Sequence, residues 1–131
     1  MYREVTGNVE VEVTPSYVEQ NSDPERQYFF FAYHVTITNR SDSPKRLVSR
    51  KWIIVDGNGH VERVEGPGVV GETPRLEPGQ SYSYTSACPL STPTGNMRGT
   101  YHMVDDGGKT IEVRIPLFFL REMPAPEQNV H

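Results

Sequence analysis

Between Gln27 and Asn39 the chain reads QYFFFAYHVTITN, with Phe29, Phe31, Tyr33, Val35 and Ile37 on every second residue. A side-chain period of two belongs to a strand that turns one face to a core. Aromatic and β-branched residues suit that pleated surface. The even positions Tyr28, Phe30 and Ala32 are apolar too, before His34, Thr36 and Thr38 turn polar. One end of this strand is therefore hydrophobic on both sides.

The same alternation recurs along the chain. Val9, Val11 and Val13 alternate with Glu10, Glu12 and Thr14 inside a strand expected over Val5–Tyr17. Residues Glu19 to Arg26, polar and holding Pro24, are expected as a loop. A third strand is expected over Arg46–Asp56, with Val48, Trp52 and Ile54 on one side and Leu47, Ile53 and Val55 on the other. Gly57-Asn58-Gly59 then reads as a hairpin turn, because glycine and asparagine tolerate positive φ, and His60–Glu65 as the return strand. Ser81–Ala87 sets Tyr82 and Tyr84 on one face, and Asn96–Asp105 does the same with Met97, Gly99, Tyr101 and Met103. Thr110–Leu117 is expected to turn Ile111, Val113, Ile115 and Leu117 inward.

No window free of glycine and proline repeats apolar residues at helical spacing. About seven short strands joined by Gly and Pro turns predict an all-β, antiparallel, immunoglobulin-like β-sandwich. Trp52 suits the inter-sheet position that a tryptophan fills in such folds. At 131 residues, with no repeat and no composition break, one domain is expected over residues 1–125, with 126–131 as a flexible tail.

Thirteen basic and seventeen acidic residues leave a net charge of −4, without the basic face of a nucleic-acid binder. Cys88 is the only cysteine, which excludes a disulfide framework and a thiolate metal cluster. With no apolar run of membrane-spanning length, the expectation is a cytoplasmic protein with no nucleic-acid or membrane partner.

The string GPGVVG from Gly66 to Gly71 matches the dinucleotide fingerprint in its letters. That fingerprint needs a helix after its last glycine. Pro74 and Pro78 exclude one, since each would remove a donor and clash with the preceding turn. What survives is an anion nest of backbone N–H groups. Gly66, Gly68, Gly71 and Arg75 are its candidate residues, and Arg50, Arg63 and Arg98 are further sources of charge. The plainer reading is a tight crossover between strands.

Other chemistry is sparse. His34, His60, His102 and His131 lack paired ligand spacing. Glu62, Glu65, Asp105 and Asp106 offer at most a weak Mg²⁺ surface. Cys88 has no base at hand and reads as a small buried hydrophobe. No catalytic residue, metal site or cofactor is expected. The two-faced strands point instead to a protein partner or a homodimer through Tyr28, Phe30 and Trp52, because an exposed apolar patch marks such sites.

The run GPGVVGETPRLEPGQSYSYTSACPLSTPTGNMRGTYHM, with FFFAYHVTITNRSDSPKRLVSRKWIIVDGNGHVERVEG before it, resembles the bacterial ApaG family. The resemblance covers nearly the whole chain. It implies a fibronectin type III-like sandwich, a genetic link to cobalt resistance and magnesium efflux, and no catalytic residues to carry over. Related domains in F-box proteins and in a DNA-polymerase-associated protein imply protein binding. The family's glycine motif implies the other alternative, a binder of pyrophosphate, a nucleotide or a divalent cation at Gly66–Gly71.

Overall fold

The computed structural model describes residues 1–122. Within them lie β1 (Tyr2–Thr6), β2 (Val9–Tyr17), β3 (Phe29–Asn39), β4 (Lys45–Asp56), β5 (Val61–Pro67), β6 (Arg75–Leu76), β7 (Ser81–Leu90), β8 (Thr94–Asp105) and β9 (Thr110–Arg121). Two single 3-10 turns, Glu19–Asn21 and Pro24–Arg26, occupy the expected loop after β2. One sheet runs β1-β2-β3-β7; the other runs β5-β4-β8-β9, with β6 paired to β4. All the strand pairs are antiparallel. The fold is the all-β antiparallel sandwich that the alternation predicts.

Its core is the set of odd residues on β2 and β3. Val9, Val11, Val13, Val35 and Ile37 are fully buried, and Phe29, Phe31 and Tyr33 nearly so. Leu47, Trp52, Met97, Tyr101, Met103, Val113, Ile115, Phe118 and Leu120 meet them from the second sheet. Among the described residues, no buried side-chain nitrogen or oxygen lacks a partner.

Four expectations need correction. The N-terminal strand is two strands: Gly7 and Asn8 both take positive φ, 53° and 62°, and fold β1 back on β2. Such a two-residue turn requires that left-handed geometry at both central positions. Arg75–Leu76, read as a turn, is the short β6, so nine strands replace seven. A bulge between Leu47 and Ser49 shifts the phase of β4 against β8. Leu47 and Trp52 therefore share the core, and Val48 does not join them. A second shift in the β8–β9 register falls where β9 carries Pro116, which has no N–H to give a ladder. Past it Leu117 turns out to solvent, 45% exposed, while Phe118 and Leu120 point inward. The expected tail, 126–131, lies outside the described residues.

The two margins of the sandwich differ. On one, β1 and β9 are stitched together: the Arg114 N–H donates to Thr6 Oγ1 at 3.1 Å and its guanidinium pairs with Glu4 at 2.8 Å. On the other, β7 and β5 are both sheet edges, with no strand beyond either among the described residues.

Outside the core, Glu10 is almost fully buried and holds two arginines, Arg40 at 2.7 Å and Arg3 at 3.0 Å. The hydrogen bonds from Arg3 and then Arg40 lower its carboxyl from 4.5 to about 2. A depressed carboxylate stabilises the fold above its unfolded value and loses that contribution as pH falls toward the folded one. Stability should therefore fall between pH 4.5 and about 2. After discounting for water around the half-exposed guanidiniums, the loss should be about 1–2 kcal/mol. Urea unfolding of Glu10→Gln checks this; a slope as steep as the parent's in that window would refute it.

Candidate functional site

In the glycine string, the N–H groups of Gly68, Val69 and Glu72 are already taken. From the end of β5 the Gly68 N–H donates to Val48 O at 2.8 Å, and Val69 and Glu72 exchange both backbone hydrogen bonds at 2.8 Å. Those N–H groups are engaged inside the protein. The tip between them, Val70 and Gly71, takes φ of 42° and 82°, a left-handed turn. Meanwhile the carbonyls of Pro67 and Gly68 each accept from Arg50 Nη1 at 2.9 Å. The loop thus offers acceptors to a cation, the reverse of a nest's polarity. The strand leads to no helix, as the two prolines require.

Two glycines are fitted to that task. A Cβ on Gly66 would stand 3.1 Å from the Arg50 guanidinium, and one on Gly68 only 2.1 Å from Glu72 O. Gly71 faces open space. Arg75 is not brought to them: its guanidinium is bound to Asp106, at 2.5 Å, and to Glu77. Of the four arginines considered, Arg50 is the one hydrogen-bonded to the loop.

Arg50 opens onto a cleft of about 340 Å³ between the sheets at the open margin. Past the bulge at Val48, Arg50, Trp52 and Ile54 share one phase of β4 and all line it. From β5 come Glu62 and Val64, and from β7 Ser86 and Cys88. Tyr33 closes the back. Deeper still, the hydroxyls of Tyr84 and Tyr101 share a 2.5 Å hydrogen bond. Burial raises the Tyr33, Tyr84 and Tyr101 hydroxyls above their usual range, so they stay protonated. Burial, and then the charge of Glu62, pushes the Cys88 thiol up to about 11. A protonated thiol is a poor nucleophile. The cleft offers hydrogen-bond donors, one cation, one anion and an aromatic floor.

Trp52 is not exposed beside Tyr28 and Phe30 but sits inside, on the wall of the cleft. It is 3% exposed and packs edge-on against Tyr33 at 5.3 Å, Phe118 at 5.9 Å and Tyr101 at 6.5 Å. That is the inter-sheet position its place on the third expected strand suggested. Tyr28 is 42% exposed and stacks at 6.3 Å on Phe30, which is half-buried. The strand reading missed Arg50 and Glu62 as cleft residues. The signal was present: Arg50 shares the even phase of Trp52 and Ile54, a charge in an inward-facing row. Among the described residues no three His, Cys, Asp or Glu side chains converge to hold a metal ion, and no helix is long and apolar enough to cross a membrane.

Fold and cleft together define a two-sheet β-sandwich with a lined cleft at one margin. The comparisons with known proteins give the family. The family model described as the ApaG domain matches residues 19–105. A protein ApaG from Mesorhizobium japonicum is 50% identical over 131 residues, covering 100% of both chains. Another, from Brucella anthropi, is 51% identical over 129 residues, covering 98% of this chain and 97% of its own. A crystal structure described as a putative ApaA protein from Bordetella pertussis superposes with a TM-score of 0.86 at 50% identity, covering 90% of this chain and 97% of that one. The chain belongs to the ApaG family.

Proposed function

We propose that this chain is a non-catalytic protein-interaction module that receives an extended segment of a partner along β7. The observation that supports this is a ten-residue strand at the edge of its sheet with a lined cleft beneath it. An edge strand presents unpaired N–H and C=O groups, and adding a strand there is a recurring mode of peptide recognition. Main-chain hydrogen bonds supply affinity and the cleft receives alternate side chains. The raised thiol and tyrosines favour binding over catalysis. The link to cobalt and magnesium that the resemblance implies would then run through the partner, since no three ligating side chains converge among the described residues. The small-ligand reading at Gly66–Gly71 has less support, since the N–H groups of Gly68, Val69 and Glu72 are already engaged.

Amide hydrogen exchange on the full chain, with and without a pool of short extended peptides, tests this. New protection is expected in Tyr82 to Leu90. Protection confined to Tyr28–Phe30 would overturn the edge reading in favour of the aromatic pair.

A further inference from the structure

Resting on the edge reading, we propose that the segment taken by β7 carries opposite charges four residues apart around a central apolar side chain. One charge pairs with Arg50 and the other with Glu62. The spacing follows from register. Arg50 lies opposite Gly66 and Ile54 opposite Glu62, so the two charges sit four strand positions apart. At ~3.3 Å per residue that is about 13 Å along the strand. Both face the space between the sheets, and they do not pair with each other.

The same interval runs along β7. Arg50 and Glu62 line one cleft with Ser86 and Cys88 of β7, so both poles face the inward row of that strand. A strand laid beside β7 points residues i, i+2 and i+4 the same way, and i to i+4 again spans about 13 Å. The first and last meet the poles, and the middle one meets Trp52 and Val64. Arg50 is prepared for this: its Nη1 is fixed by two carbonyls, whereas Nε and Nη2 engage no acceptor among the described residues. Glu62 is exposed and forms no ion pair among them. A segment with like charges at both positions would match one pole and be repelled by the other.

The test uses the full chain and short synthetic peptides with Lys and Glu four positions apart and Val midway. Lys/Lys, Glu/Glu and Gln/Gln versions are the controls. The Lys/Glu peptide should bind about five-fold more tightly than either like-charged one at low salt, and high salt should erase the gap. Glu62→Lys should move the preference to the Glu/Glu peptide and Arg50→Glu to the Lys/Lys peptide. Arg50 also anchors the loop, so its variant could fail to fold; Glu62→Lys, at an exposed site, carries the test alone. Equal affinity for all four peptides, with β7 amides protected, would overturn the charge pattern and leave the edge reading standing. No β7 protection by any peptide would overturn both.

Discussion

Trp52→Ala should lower the unfolding free energy by about 3–5 kcal/mol, the range for losing a large aromatic from a packed core. A domain of this size has roughly 5–15 kcal/mol in total, so the variant sits near the edge of folding. The loss is large because the indole meets three other rings, Tyr33, Phe118 and Tyr101, drawn from β3, β9 and β8. Such edge-on pairs add to plain burial. Removing the indole leaves a void between the sheets, and strands fixed by their ladders cannot collapse into it. Urea titration should show a lower midpoint with an unchanged slope. A loss under about 1 kcal/mol, the scale of an ordinary substitution, would mean that the ring is not the keystone the contacts describe.

Gly99→Val should cost about 3 kcal/mol, the upper end of ordinary overpacking. Gly99 lies on β8 opposite Trp52, where a Cβ would stand 2.1 Å from Lys51 O and 3.2 Å from Trp52 Cα. Both are backbone atoms of the neighbouring strand, so no side chain can swing aside. The two strands must separate or slip, in the middle of the second sheet. Gly71→Ala is the informative comparison: its Cβ would meet nothing within 4 Å, although φ of 82° still strains it. Thermal unfolding should therefore rank Gly99→Val well below Gly71→Ala. Equal midpoints would show that the β4–β8 approach is looser than described.

Strands β2 and β3 were legible because their alternation is unbroken from end to end. Val9, Val11 and Val13, and then Phe29 to Ile37, turn inward as their spacing says. Phase was lost where a strand gains a residue. The bulge at Val48 and the shift beside Pro116 each exchange the two faces, and period-two reasoning carries no memory of such an insertion. The Gly7-Asn8 turn was readable as a hairpin dipeptide between alternating runs, but the continuous valine pattern after it masked it. At the site, the glycines marked an unusual backbone correctly. Whether that backbone turns N–H or C=O groups to its neighbour depends on the peptide planes, which residue identity does not encode. Arg50 among the inward-facing residues of β4 was the better clue, because a charge in a core row needs a reason to be there.

The unlike margins described for this sandwich also set where a second copy can join by its edge. With β1 and β9 fastened through Arg114, Thr6 and Glu4, the open edges are β7 and β5, both at one margin. While each keeps its β5 edge, two copies meeting β7 to β7 across a two-fold axis would occupy the β7 edge on both. The same surface cannot serve a copy and a partner segment at once, so self-association and partner binding would compete for one place.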